Sequence, residues 1–335
     1  MSITAKELAR ILGLSPAAVS MALNNKPGVS TDTRRLVLET AEKHGYDFTK
    51  LAEKHNIRGT IHLVIYRKHG AIVAETPFFL ELSSGVAEGC RKADYKIQIS
   101  YLMEDEDTID AQLENIQFSD CAGLVVLGTE MTRDNVRRIQ KLPLPFVLLD
   151  TYFEDLNCNY VLINNVQGAY QAASHLIKAT GKQPGYLRSS YSIGNFVERN
   201  SGFFKAVRAN GMSSAGSIVH FLTPSIDGAY ADMKEILRSR DPIARAYFAD
   251  NDLIALGAMK AFKEAGFRIP EDVALVGFDN LPTSLIVDPP LTTIHVPKEE
   301  MGKVAAERLV TLIRDRSSAP MKIEMNTTLI RRKSS

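Results

Sequence analysis

Apolar and polar positions along the chain change rhythm near residue 60. Before that point apolar residues recur at helical intervals in three short stretches. Thr4 and Glu7 stand at capping-box spacing ahead of Leu8, Ile11 and Leu12, and Gly13 stops the first helix. Ser15 is a natural N-cap with Pro16 at the first helical position, and Val19, Ala22 and Leu23 form the apolar face of a second helix running to Asn24. After a loop rich in Asn, Gly and Pro, Ser30 caps a third helix with Leu36, Val37 and Ala41 on its buried face and Gly45 at its end. Two short helices joined through a glycine turn make a helix-turn-helix, and three can share one small core. The same pattern also suits a purely structural three-helix cap.

Beyond residue 60, short apolar runs alternate with helical patterns, which predicts parallel sheets flanked by helices. TIHLVIY, YKIQISY, AGLVVLG and PFVLLD form one set of strands, with helices near 79–93, 108–116 and 131–141. GYLRSS, SIVHFL, ARAYFAD and DVALVGFD form a second set, with helices near 165–179, 197–209, 228–239, 252–265 and 298–314. Two similar lobes follow, an α/β arrangement too large for one core. The predicted division is a head at 1–46, a hinge linker at 47–59, a two-lobed domain at 60–330 and a tail at 331–335. Within the two-lobed part, one lobe is 60–160 with 291–330 crossing back, and the other is 161–290.

Composition narrows the class. With 45% apolar and 24% charged residues and no apolar run near the roughly 20 needed to span a bilayer, the chain reads as globular, with no membrane partner. The first residues lack the basic, apolar and small-residue order of an export signal, so a cytoplasmic location is expected. Cys90, Cys121 and Cys158 are widely spaced and read as buried thiols, neither a disulfide framework nor a metal site. Net charge is +1, yet residues 1–58 hold nine Lys and Arg against six Asp and Glu. No GxxxxGK[ST], GxGxxG after a strand, GxSxG elbow or HExxH is present, so neither an enzyme nor a cofactor is expected.

SPAAVSMALNNKPGVSTDTRRLVLETAEKHGY closely resembles the DNA-binding head of the lactose-repressor/galactose-repressor family in length, turn placement and terminal Gly-Tyr. The resemblance implies that the second helix enters the major groove, with Ser15, Ser20 and Asn24 available to phosphates, Thr4 in the same DNA-facing set, and Arg34 and Arg35 as backbone contacts. Pro16, Ala17 and Met21 occupy the exposed positions where many relatives carry polar or basic residues. Bidentate base contacts are therefore replaced by apolar contacts, for which thymine methyl groups are the matching partner, with DNA shape carrying more of the specificity. In the linker, Phe48 and Thr49 replace the family's Pro-Asn, Ala52 is kept, and His55 stands at the position of the minor-groove leucine. Two readings of His55 stay open: insertion into a narrow A·T groove, or an ordinary solvated helix.

The resemblance continues through TPFF (76–79), LLD (148–150), ERNSGF (198–203), NDLIALGAMKAF (251–262), IPEDV (269–273), VGFD (276–279) and PPLTTI (289–294). It implies a periplasmic-binding-protein-like sensing domain whose strand ends face one cleft, where a sugar or nucleoside effector binds. Asp150 and Asp279 end apolar strands and can accept hydroxyl hydrogen bonds, the competing reading being turn or cap residues. Arg199 matches the family's cleft arginine, the competing reading being an ion pair with Glu198. Asn195, Asn251 and Phe78 or Phe79 complete the set, one of the two phenylalanines being assigned to the core. Asp252 is a ligand or cap candidate; Tyr191 and Phe221 are secondary. A homodimer on a palindromic operator follows from the family. A periplasmic receptor would suit residues 60–330, and a protein co-regulator could replace the small ligand.

Overall fold

The computed structural model describes residues 3–23, 28–46, 58–68, 77–104, 106–117 and 120–335. They belong to two units, Met1–Arg58 and Gly59–Ser335.

The first unit holds α1 (Ala5–Leu12), α2 (Pro16–Leu23) and α3 (Thr31–Lys43). The capping box forms: Glu7 N donates to Thr4 Oγ1 at 3.3 Å, and Thr4 N to Glu7 Oε2 at 2.8 Å. Ser15 Oγ accepts from Ala18 N at 3.1 Å and Ser30 Oγ from Thr33 N at 3.1 Å, so each helix starts on a side-chain cap. Leu8, Val19, Ala22, Val37 and Ala41 meet in one buried cluster. Leu36 departs from expectation: it is 50% exposed. Val37 and Ala41 lie one turn apart on the inward stripe of α3, and Leu36 sits about 100° round the helix from Val37.

The second unit begins with β1 (Thr60–Arg67), α4 (Pro77–Lys92), β2 (Lys96–Met103), α5 (Glu106–Gln117), β3 (Cys121–Leu127), α6 (Arg133–Ile139), β4 (Phe146–Leu149) and β5 (Tyr160–Ile163). It continues with α7 (Asn165–Thr180), β6 (Gly185–Ser189), α8 (Gly194–Ala209), β7 (Val219–Leu222), α9 (Ile226–Arg238), β8 (Ala246–Ala249), α10 (Asp252–Glu264) and β9 (Ala274–Asp279). Last come α11 (Thr283–Ile286), β10 (Thr292–His295), α12 (Lys298–Arg314), β11 (Lys322–Met325) and β12 (Thr328–Ile330). Two six-stranded sheets result, ordered β11-β5-β4-β3-β1-β2 and β12-β10-β9-β8-β6-β7. Every neighbouring pair is parallel except β10 with β12. Parallel pairing demands crossovers, which the helices provide, and strands covered on both faces become continuous apolar runs such as β8 and β9. In the second lobe Tyr186 stacks on Phe203 and Phe248 at centroid distances of 4.9 and 5.4 Å. In the first, α4 and α12 touch backbone to backbone: a Cβ on Gly85 would lie 1.9 Å from Glu299 O, and one on Gly302 would lie 2.2 Å from Leu82 O.

The return to the first lobe, expected at residue 291, comes after His295, because β10 is held in the second sheet between β9 and β12. The segment KIEMNTTLI (322–330) forms two strands in different sheets. The chain therefore crosses between lobes three times, after β5, after β10 and after β11. Residues 331–335, expected to trail, are stitched into the second lobe: Ser334 is fully buried and its carbonyl accepts from Leu275 N at 2.7 Å. Cys90 and Cys158 are buried and Cys121 is half-buried, with burial pushing each thiol up, Cys90 to about 11. No helix among the described residues is long and apolar enough to cross a membrane.

Candidate functional site

Strands β4 and β9 run toward the same gap between the lobes, where ligands of open parallel sheets bind. Asp150 follows β4 and Asp279 ends β9, with φ of 63° and 103°, conformations that cost a non-glycine residue roughly 1 kcal/mol or more. Both carboxyls are buried. Phe78 and Phe79 from α4, Asn195 and Arg199 from α8, and Asn251 ahead of α10 line the same gap, together with Thr129, Ile193 and Phe196. Seven of the side chains singled out in the sequence are thus brought together, and Asp252, Tyr191 and Phe221 are not among them. The space they enclose is about 30 Å³, room for one or two water molecules. A hollow of about 510 Å³ opens elsewhere, around Pro143, Cys158 and Arg316. It lacks opposed buried charges, so size alone does not mark the site.

The cleft groups bond to one another. Asp150 Oδ2 accepts from Thr129 Oγ1 at 2.6 Å, and its Oδ1 accepts from Asn195 Nδ2 at 2.9 Å, a bond from one lobe to the other. Arg199 donates through Nε to Asn165 Oδ1 at 2.9 Å, through Nη1 to Asp250 O at 2.5 Å, and through Nη2 to Asp279 Oδ1 at 3.2 Å, while its guanidinium lies 3.7 Å over the Phe278 ring. Its carboxylate partner is Asp279 and not Glu198, which instead accepts from Asn165 Nδ2 at 2.9 Å. Lys298 Nζ reaches Asp279 O at 2.9 Å and Glu81 at 3.2 Å, joining the lobes at the second crossing. Burial pushes Asp150 up to about 6, opposed by the Thr129 hydrogen bond. Burial raises Asp279 as well, with Arg199 and Lys298 holding it down. Behind them, Asp250 is pushed up to about 6 by burial, against hydrogen bonds from Tyr186 and Ser189. Burial and then the Asp279 charge push Asp252 up to about 8.

Other expectations resolve individually. Phe78 and Phe79 are both buried and both line the cleft, edge to face at 5.1 Å, so neither is core alone. Asn251 caps α10, its Oδ1 accepting from Ile254 N at 2.9 Å, and it lines the cleft too. Asp252 is turned to Thr293 Oγ1 at 2.5 Å and Leu281 N at 2.7 Å. Tyr191 is not a lining residue, and Phe221 is 58% exposed on β7 beneath Arg188. Thr129, Asn165, Phe196 and Lys298 were missed. Lys298 carried a signal: a cation in the first turn of a helix opposes the helix dipole, which suggests a specific anionic or carbonyl partner.

On the head, Ser15, Pro16, Ala17 and Ser20 are exposed along α2, and Thr4 is exposed at the start of α1. Met21, expected to be exposed, is half-buried, because its sulfur packs on Gly28, where φ is 114° and a Cβ would approach Sδ to 3.0 Å. Arg34 Nη1 donates to Ala22 O at 3.3 Å and Met21 O at 3.5 Å, satisfying carbonyls at the end of α2. Arg35 is 73% exposed, with Asp32 at 3.7 Å and Glu39 at 4.0 Å. Asn24, His55, Phe48, Thr49, Ala52 and all of the linker up to residue 57 lie outside the described residues.

A family model for periplasmic binding protein-like domains matches residues 173–335. The HTH-type transcriptional repressor PurR of Pasteurella multocida (strain Pm70) is 30% identical over 336 residues, covering 99% of this chain and 98% of that protein. PurR of Mannheimia succiniciproducens is 28% identical with the same coverage. Among solved structures, a complex of the transcriptional regulator CelR with cellobiose aligns at a TM-score of 0.74 and 26% identity, covering 99% and 100% of the two chains. The Lac repressor dimer bound to operator and the anti-inducer ONPF aligns at 0.73 and 20% identity over 100% and 99%, a likeness of fold. A helix-turn-helix head ahead of two lobes around a polar cleft defines a ligand-responsive transcription regulator. The chain belongs to the lactose-repressor/galactose-repressor family of transcriptional repressors.

Proposed function

We propose that the protein represses transcription by binding a palindromic operator as a homodimer, under the control of a sugar or nucleoside held between its lobes, in the cytoplasm. The observation that carries this reading is the pair of buried carboxyls, Asp150 and Asp279, on opposite lobes with Arg199 between them and Phe78, Phe79 and Phe196 along the walls. Such a site suits a compact neutral molecule with hydroxyl or amino donors at both ends and an apolar face between. The enclosed 30 Å³ is too small for one, so binding opens the lobes about their three crossings and replaces the Asn195–Asp150 bond with ligand contacts. Operator and ligand are then linked through their different affinities for the open and closed forms.

The dimer reading draws on exposed apolar side chains on both lobes: Leu80, Ile99, Tyr101 and Met103 on the first, Phe221, Leu285 and Ile286 on the second. Two heads would reach successive major grooves about 34 Å apart. A thermal-shift screen across sugars, nucleosides and nucleobases tests the ligand class. At least one compound should raise the melting temperature of the wild type and fail with Arg199→Ala. A flat response across the panel would point to a protein co-regulator instead.

A further inference from the structure

The tail beyond β12 is part of the cleft wall's support, and Arg332 is where the two meet. Its backbone N–H donates to Thr292 Oγ1 at 2.9 Å. Its guanidinium reaches three acceptors: Leu291 O at 2.7 Å and Ser284 Oγ at 2.9 Å through Nη1, and Asn280 Oδ1 at 2.6 Å through Nη2. These acceptors lie at the end, middle and start of the one loop, 280–291, that joins β9 to β10. The loop starts on Asp279 and Asn280, both left-handed, with φ of 103° and 52°. Non-glycine residues keep such conformations only where surrounding bonds over-determine them. Lys298 holds the carbonyl of Asp279, and Thr293 and His295 meet the backbone and amide of Asn280 at 3.3 and 3.2 Å. Arg199 holds the Asp279 carboxylate and Asp252 the N–H of Leu281; Arg332 adds the hold on Asn280 that also reaches α11, where Leu285 and Ile286 are 60% and 81% exposed.

We propose that Arg332 is a positioning residue of the effector site, holding Asn280 and through it the Asp279 carboxylate, and tying that carboxylate to the apolar turn at Leu285 and Ile286 so that the two respond together. The inference rests on the reading of the cleft as the effector site. A guanidinium fits this role because its planar fork presents several donors in fixed directions, which a lysine ammonium on a flexible stem does not. Ligand contact with Asp279 therefore alters the setting of α11 without any direct contact between them.

The test uses the full chain as wild type, Arg332→Ala, Arg332→Lys, Asn280→Ala, the double variant, and Lys333→Ala as a surface control. Hydrogen exchange of the ligand-free proteins is followed by mass spectrometry, and ribose, cellobiose, adenosine and guanosine are titrated by thermal shift. Arg332→Ala should speed exchange in peptides covering 280–291 by about tenfold or more, as the loss of one charge-assisted hydrogen bond would, while β6 and β8 keep their protection. Arg332→Lys should not restore it, and adding Asn280→Ala should change the Asp279–Leu281 region no further. A compound that stabilises the wild type should bind Arg332→Ala about tenfold more weakly. Unchanged exchange in 280–291, full rescue by lysine, or a uniform loss across the second lobe with a matching fall in melting temperature would overturn the assignment. The expected exchange pattern with no response to any of the four compounds would leave the hold of Arg332 on residues 280–291 standing and count against the reading of the cleft as a sugar or nucleoside site.

Discussion

Asp252 sits fully buried behind the cleft, pushed up to about 8 by burial and the Asp279 charge, against about 3.9 in an unfolded chain. A folded value above the unfolded one means its contribution to stability is fully present below about pH 4 and is lost as pH rises toward 8. Asn at this position can accept from Leu281 N and donate to Thr293 Oγ1 without titrating. The gap in melting temperature between Asp252→Asn and wild type should therefore shift in favour of the variant from pH 4 to pH 8, and a gap independent of pH would contradict the assignment. Arg199→Met leaves Asp279 and Asn165 without their buried donor, and should lower unfolding free energy by about 3–5 kcal/mol in urea titrations. Asp150, Asp279 and Arg199 were legible because strand ends and the ERNSGF string are local features. Asn165 was not, since its partner Arg199 is distant in sequence and only the fold brings the two together, and the charge of Lys298 in a first helical turn signals a partner without saying that it is Glu81.

The helices of the head were the most legible elements, since caps and stops are written within a few residues of each end. Ser30→Ala, which removes the acceptor for Thr33 N, should cost about 1 kcal/mol in the stability of this unit, read from its thermal unfolding. The two neighbouring arginines of α3 separate sharply. Arg35 is exposed, and Arg35→Ala should reduce the slope of log affinity against log salt by about 0.9 for each phosphate the side chain neutralises. Arg34 is engaged with the last carbonyls of α2, so Arg34→Ala should weaken operator binding with a smaller change in slope, by loosening α2. Equal slope changes for the two would show that both touch phosphate. Strands were less legible: β5 and β10 were not found although β4, β7 and β8 are as short, so a run of four residues shows no period of its own and its flanks decide, and β11 and β12 lie in different sheets with only Asn326 and Thr327 between them.

At the scale of the molecule, two lobes share three crossings and close on a gap of about 30 Å³ that is bridged by Asn195 and Asp150. Asn195→Ala removes that bridge while leaving the crossings intact, and should expand the unliganded protein measurably in small-angle scattering; an unchanged radius of gyration would mean that the bond does not hold the lobes together. A ligand in this cleft is expected to change the affinity of the protein for its operator. The most direct measurement is a fluorescence-anisotropy titration of the full-length protein against duplexes retained from a palindromic pool, at two salt concentrations, with and without the compound that most raises its melting temperature. Tight binding of a sequence-defined subset by two chains per duplex, with affinity changed about tenfold or more by the compound, is the predicted result. Weak binding indifferent to sequence, or tight binding that no cleft ligand alters, would contradict it.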